Sequence, residues 1–366
     1  MGFDLRYGDC LKVMRGMSAN SVDAIVTDPP YYKIKEEEWD RQWSTPQAFL
    51  AWLDEIAGEW QRILKPNGSL YCFASSKMAA RVEVKLGERF NVINSIVWNK
   101  GGESGKDGAG KHRRASKELL RSYFPVTERI IFAEHSGADN IAKGENGYAA
   151  KCDELRGRIF DPLRRYLAGE RDRAGVSNSQ INNEWRKWKK SPNGGMTSHW
   201  FSPSQWELPT AESYQWLRET LSALNNGGEY LVREYDDLRN AHEALRAKYD
   251  DSRREYESLR RPFSVTPDVS YTDVWTFNVV QNYDGKHPCE KPLNLMRHII
   301  KTSTRAEATV LDCFAGSCSV GVACVELGRN FIGIERDARY YERGLARLNA
   351  CGVQPSIFYT QESDHA

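Results

Sequence analysis

Several features that would place this chain in a membrane, in a secreted disulfide scaffold or around a structural metal are missing. Within its 366 residues no apolar run approaches the ~20 residues that span a bilayer. The opening MGFDLRYGDC lacks the basic-then-apolar order of a secretion signal, so the expected compartment is the cytoplasm. There are 8 cysteines, yet no Cys-x-x-Cys pairs with a second such motif or with closely spaced histidines. Reduced thiols and no metal site follow from that spacing. A large charge of one sign is absent too. With a net charge of +1, contact with nucleic acid has to come from local clusters of cations.

What is present is the composition of a folded protein, 40% hydrophobic and 28% charged. Three regions separate. In residues 1–150, short β-rich runs (Val22–Thr27, Gly68–Phe73, Ile93–Trp98, Arg129–Ala133) alternate with a helical stretch, Pro46–Leu64. There Phe49, Trp52, Leu53, Ile56, Trp60 and Ile63 recur at helical spacing. Residues 266–366 return to that alternation, with strands at Ala308–Cys313 and Asn330–Glu335 around a small-residue helix, Ser319–Leu327. Neither region has enough strands for a doubly wound sheet, but together they do, which predicts one α/β domain assembled from both.

The stretch between them, 151–265, is polar and helical. Leu231, Leu238, Leu245, Ser252 and Leu259 form a heptad series, and Tyr235, His242, Tyr249 and Tyr256 each follow four residues later. That pattern predicts a long helical arm with a wet seam. Such an arm reaches along a duplex, meets a second protomer in a homodimer, or lies against the body; the tyrosines argue against a strong autonomous dimer.

The sharpest local signal is Asp28-Pro29-Pro30-Tyr31, directly after the apolar run Ala24–Thr27. The exocyclic amine of a nucleobase is a poor nucleophile because its lone pair is delocalised into the ring. A carboxylate such as Asp28, with the carbonyl of Pro29, accepts its N–H bonds and favours the geometry that bears a lone pair. Pro29 and Pro30 fix φ and hold that carbonyl rigid. Tyr31 offers a face on which a flipped base stacks.

The second signal is Val310–Gly321, a strand running through Asp312, Phe314, Ala315, Gly316 and Ser317 into a helix of small residues. Glycine at 316 lets backbone approach a ligand closely. About twenty residues further on, Phe331–Glu335 is a strand whose terminal carboxylate suits both hydroxyls of a ribose. The third is His287-Pro288-Cys289-Glu290-Lys291-Pro292 before the helix Leu293–Thr302, which offers backbone amides and Lys291 to a carboxylate.

Together these segments resemble the amino-methyltransferases of DNA, and the resemblance covers both outer regions, about two thirds of the chain. DPPY matches that family's catalytic motif, HPCEKP its HPxxKP motif and DCFAGSC its DxFxGSG cofactor turn. DPPY precedes the cofactor turn here, an order similar to the β-type, circularly permuted members. The resemblance implies a doubly wound, Rossmann-like methyltransferase sheet, with 151–265 as an inserted helical target-recognition domain. It implies S-adenosylmethionine as cofactor, double-stranded DNA as substrate, no membrane, and a bacterial or phage-infected cell. The catalytic residues it implies are Asp28, Pro29, Pro30 and Tyr31. The cofactor residues it implies are Asp9 and Cys10 in Tyr7-Gly8-Asp9-Cys10, then His287, Lys291, Asp312, Phe314, Ala315, Gly316, Ser317 and Glu335. Thr127–Phe132 is similar to the strand that lies near the target base.

The chain departs from the pattern at Cys318, where the family has glycine. Cysteine does not relieve a positive φ, so the turn either takes another geometry or carries strain. DPPY is more typical of adenine enzymes and SPPY of cytosine ones, so adenine N6 is the expected target. Cytosine N4, or a catalytically silent DNA-binding protein on the same scaffold, are the alternatives. For DNA contact the candidates are Gln180, Asn182, Arg186, Lys187 and His199 in the middle region, within or near an aromatic and basic run, Trp185–Lys190. Lys111, Arg113 and Arg114, flanking the glycine-rich loop Gly101–Gly110, are expected to meet phosphates.

Overall fold

The computed structural model describes residues 2–34, 37–100, 121, 125–137, 148–265 and 272–352. Chain contacts divide it into two compact units, Met1–Lys143 with Arg261–Ala366, and Gly144–Arg260. The basic-loop candidates Lys111, Arg113 and Arg114, and the loop Gly101–Gly110, lie outside the described residues.

The first unit is built on an eight-stranded sheet in the order β1-β8-β7-β2-β3-β5-β4-β6. The strands are β1 Phe3–Tyr7, β2 Val22–Thr27, β3 Leu64–Ser75, β4 Phe90–Asn99, β5 Thr127–His135, β6 Val274–Thr276, β7 Thr309–Asp312 and β8 Asn330–Glu335. From β1 across to β3 they run parallel. β5 is antiparallel to both β3 and β4, and β6 lies parallel to β4 at the edge. The near-continuous burial of β2, with Val22, Ala24, Ile25, Val26 and Thr27 all inside, is what a strand covered on both faces requires.

The helices of the N-terminal part are α1 Cys10–Arg15, α2 Glu38–Arg41, α3 Pro46–Ile63 and α4 Ala79–Gly87. α3 begins where the Thr45 hydroxyl accepts the amide of Ala48 at 3.1 Å and Pro46 sets the first helical φ. Its stripe Phe49, Leu53, Ile56, Trp60 and Ile63 packs on one face of the sheet. The second unit holds α5 Tyr148–Ile159, α6 Asp161–Arg173, α7 Asn178–Lys189, α8 Thr197–Phe201, α9 Ala211–Leu224 and α10 Tyr235–Leu259. The C-terminal part returns α11 Leu293–Ser303, α12 Ser319–Glu326 and α13 Ala338–Asn349 to the first unit. Leu295, Ile299 and Ile300 of α11 and Ala323 of α12 fill the opposite face of the sheet. Each of the leucine and isoleucine side chains contributes roughly 1.5–3 kcal/mol on burial, so the sheet is clamped from both sides.

The connectivity places a crevice. β7–α12–β8 steps toward β1 over one face, while β2–α3–β3 steps the other way over the other face. β7 and β2 are paired neighbours, Ala24 beside Val310 and Ile25 beside Leu311. Connections diverging from adjacent strands open a binding crevice at their carboxyl ends.

In the second unit, Leu155, Phe160, Leu163, Ile181, Trp200, Tyr214, Leu217 and Leu238 form one core. The heptad face of α10 belongs to that core. Leu238 and Tyr249 are buried in it, Leu245 packs at its margin, and His242 stacks on Phe160 at 5.2 Å. Of the roles expected for the arm, packing on the protein itself is the one seen, and the seam is spent there. The heptad series also runs out at both ends: Leu231 precedes the helix in left-handed backbone, with φ 52°, and Leu259 is 49% exposed. Among the described residues no helix is long and apolar enough to cross a membrane.

Candidate active site

A cavity of about 340 Å³ opens at the carboxyl ends of β1, β2, β7 and β8. Every catalytic and cofactor candidate lines it: Asp9 and Cys10 at the start of α1, Asp28 to Tyr31 after β2, His287 and Lys291, Asp312 with Phe314 to Ser317 after β7, and Glu335 at the end of β8. Residues nearly three hundred positions apart thus meet because the two halves share one sheet.

On the β7–β8 side, backbone and carboxylates hold each other. Glu335 accepts the amide of Gly316 at 2.8 Å and that of Asp337 at 2.7 Å, one on each oxygen. Burial pushes its carboxyl above the usual range. Asp312 accepts the Thr27 hydroxyl at 2.9 Å and the amide of Phe314 at 3.1 Å, and burial raises it to about 7. Asp9 caps α1 by accepting the amide of Lys12 at 3.1 Å. Gly316 has φ 48°, and a Cβ there would stand 3.0 Å from the His287 ring, so the close approach needs glycine.

Cys318 resolves the alternative left by its departure from the family pattern: it stays left-handed, φ 56° and ψ 31°, as the N-cap of α12. Its sulfur fills space beside Gly344 of α13, where a Cβ would come within 2.6 Å of it.

On the β2 side, the catalytic turn sits in a buried network of charges. Lys291 Nζ donates to Asp28 Oδ2 and, at 3.2 Å, to the Tyr31 hydroxyl. That hydroxyl donates to Glu128 Oε2 of β5 at 3.0 Å, and Glu128 also pairs with Lys100. Lys291 stands 3.6 Å from Glu128 as well. Burial pushes the Asp28 carboxyl up, with Lys291 pulling against it. Glu128 ends below the usual range, because Lys291 and Lys100 outweigh its burial. Lys291 is pulled down by burial but held above its ordinary value by Asp28 and Glu128. The remaining Asp28 oxygen, Oδ1, is buried and has no hydrogen-bond partner among the described residues.

Three participants carry no motif of their own. Glu128 lies in a segment that only the family resemblance places near the target base, and without a role for this residue. Asp40 is fully buried beneath the catalytic turn, and Trp39 beside it lines the cavity. The only available signal for Asp40 was an acidic residue soon after DPPY, which is ordinary in a loop.

The reading-head candidates are largely engaged inside the second unit. Gln180 is spent in a capping box with Ser177 at the start of α7, and Asn182 donates to Thr197 at 2.8 Å. Arg186 and Lys187 are exposed, but Arg186 bonds Asn183 and the Gly194 carbonyl at 3.0 Å each, and Lys187 pairs with Glu184 at 2.6 Å. His199 is half-buried on α8, where neighbouring Trp200 and Phe201 are core residues. On the same unit Trp188 stacks on Trp216 at 5.1 Å, with Lys189 Nζ 3.6 Å from the Trp188 ring centre.

A crevice at the switch point, a carboxylate closing the strand next to a glycine turn, and a DPPY turn at the adjoining strand define an enzyme of the methyltransferase class. The family model described as DNA methylase matches residues 22–346, and the chain belongs to that family. It is a DNA methyltransferase with S-adenosylmethionine as its methyl donor. Among curated proteins it is similar to the DNA adenine methyltransferase YhdJ of Escherichia coli K12, 22% identical over 343 residues, covering 94% of this chain and 81% of YhdJ. It is also similar to the type II methyltransferase M.HindIII of Haemophilus influenzae, 22% identical and covering 97% of each. Among solved structures, the M1.HpyAVI–SAM complex aligns over 95% of this chain and 99% of that one, with a TM-score of 0.48 and 18% identity.

Proposed function

We propose that the protein transfers a methyl group to N6 of adenine in a base turned out of double-stranded DNA, in the cytoplasm, at sites chosen by the Gly144–Arg260 unit. One observation carries the chemistry: Asp28 Oδ1 is a buried acceptor without a donor, while Oδ2 is tied to Lys291. Leaving such an acceptor unpaired costs roughly 1–3 kcal/mol, which an incoming amine N–H offsets.

The residues present suit the cofactor. Glu335 is held rigid by one amide on each oxygen and retains lone pairs for ribose hydroxyls, and Gly316 leaves backbone open to close approach. Carboxylates at 9, 28, 312 and 335 around one cavity suit a cationic sulfur. S-adenosylmethionine supplies an electrophilic methyl group on that sulfur. Asp28 and the carbonyl of Pro29 would accept hydrogen bonds from the two amine N–H groups and direct the nitrogen lone pair, and the nitrogen sheds one of those protons to water as it gains the methyl group. Tyr31, its hydroxyl pinned by Glu128 and Lys291, presents a fixed ring to the base. Lys291, placed on the cofactor side by the resemblance, bonds the Asp28 carboxylate and favours its ionised form against the effect of burial.

For adenine, the DPPY sequence and the whole-length likeness to YhdJ, itself named an adenine methyltransferase, support the assignment. Incubation of the protein with DNA and methyl-labelled cofactor, followed by digestion to nucleosides and mass spectrometry, is the test. Label in N6-methyladenine is the expected outcome. Label in N4-methylcytosine would transfer the reading to cytosine, and unlabelled DNA would overturn it.

A further inference from the structure

The residues just after the catalytic turn adopt an unusual conformation. Tyr32 and Lys33 are consecutive, neither is glycine, and both are left-handed, with φ 63° and 57°. L-residues visit that region singly and at a cost, so two in a row persist only where surrounding bonds impose them. The two bonds that bracket the pair come from one side chain, and the Tyr32 hydroxyl and Lys33 Nζ also donate to the Ser44 carbonyl, at 3.3 and 3.1 Å. The Asp40 carboxylate accepts the amide of Tyr31 at 2.6 Å on Oδ1 and the amide of Ile34 at 2.5 Å on Oδ2, one on each side of the left-handed pair. The backbone closes the same loop, with the Lys33 amide donating to the Asp40 carbonyl at 2.8 Å. Asp40 is fully buried and its bond to the Tyr31 amide lies in the interior, where water does not compete, while the bond to Ile34 lies at the margin. The short helix carrying Asp40 also carries Glu38 and Trp39 into the cavity wall.

From this geometry we propose that Asp40 is a positioning residue of the methyl transfer. Its carboxylate fixes the backbone of Tyr31, and through it the Pro29 carbonyl and the Tyr31 ring that meet the target base, while holding Trp39 against the same cavity. The inference rests on the proposed reading of Asp28 to Tyr31 as the base-facing turn. It adds a residue at the cavity wall whose two carboxylate oxygens are both taken by backbone amides of the turn. Misplacement of the turn by a fraction of an ångström is enough to slow an in-line transfer, which depends on alignment.

The test uses full-length Asp40→Asn and Asp40→Ala. Asparagine keeps one acceptor and turns an N–H toward the other amide; alanine removes both. The single-turnover rate at saturating DNA and cofactor is expected to fall about tenfold or more in Asp40→Asn and further in Asp40→Ala. The dissociation constant for S-adenosylmethionine is expected to stay within about twofold, since Glu335, Gly316 and the other residues proposed to hold the cofactor are unaltered. Amide exchange at Tyr31 and Ile34 should rise in the same order. A transfer rate within about twofold of the parent, or cofactor binding lost in step with rate in both variants, would overturn the proposal. The rate is read on whichever base the parent methylates, so a cytosine product leaves the test intact. Should the parent transfer nothing, the functional reading falls alone. Amide exchange then decides the clamp, unchanged exchange in Asp40→Asn counting against it.

Discussion

At the scale of residues, the centre of the proposed site is the Asp28 carboxylate, which burial pushes toward the neutral form and Lys291 pulls toward the charged one. Asp28 faces Lys291, Glu128 and the Tyr31 hydroxyl, with the buried acid Asp312 and the buried thiol Cys72 close enough to feel its charge. Its pKa is raised, so the acid limb of kcat should lie above that of an ordinary carboxylate. Lys291 acts to lower it, so Lys291→Met should move that limb to still higher pH, while Lys291→Arg, which keeps the charge, should move it less. The pH dependence of kcat reads this directly. An acid limb that does not move in Lys291→Met would show that Lys291 serves something other than Asp28. At the other end of the cavity, Glu335→Ala should weaken S-adenosylmethionine binding by roughly 1.5–3 kcal/mol, the worth of a charge-assisted hydrogen bond to ribose. Calorimetry giving an unchanged dissociation constant would remove Glu335 from that role.

At the scale of elements, the turn between β7 and α12 shows how this chain carries a departure from its family's pattern. A left-handed cysteine costs energy, but its sulfur lies against Gly344, and glycine in α13 makes the room. Gly344→Ala should therefore lower stability by roughly 1–3 kcal/mol, the range for overpacking a close contact. Adding Cys318→Gly should restore most of the loss, because the clashing atom is gone. Denaturant unfolding of the two single variants and the double variant measures the coupling; simple additivity would mean that the contact is not the cause.

The same turn was legible in the sequence because its chemistry is local: Asp312, Gly316 and Glu335 stand at fixed offsets along one strand–turn–helix–strand unit. β2 and β8 were legible for the same reason, as continuous apolar runs. β1 and β6 were not, since Phe3–Tyr7 mixes charge with apolar residues and Val274–Thr276 exposes both its ends. Glu128 takes its role from a partner brought to it by the fold, Tyr31 being 97 residues away, whereas Asp40 bonds a turn only 6 to 9 residues before it, and a lone acid in a loop carries no signal of that role. The heptads of α10 left three roles open, packing against the body among them, because spacing reports which face is apolar and not what covers it. Periodicity marked Leu238 and Tyr249 as a seam, and the fold put helices of the same unit against them.

At the scale of the whole molecule, all residues lining the cavity belong to the unit made of both chain ends, and none to Gly144–Arg260. Chemistry and site choice are therefore separable if the second unit is the reading head. With Gly144–Arg260 replaced by a flexible linker, S-adenosylmethionine should still bind and preference among DNA sequences should collapse. Retention of the parent's site preference would place the reading head in the first unit.

The central claim, amine methylation directed by Asp28 at a chosen adenine, is tested most directly by methylation-aware sequencing. The DNA would come from cells free of other adenine methylation, expressing either the parent or Asp28→Ala. The account expects one short motif methylated at adenine throughout the genome with the parent, and none with Asp28→Ala, even though the variant still binds S-adenosylmethionine. Motif methylation that persists in Asp28→Ala, or an unmodified genome with the parent, would contradict it.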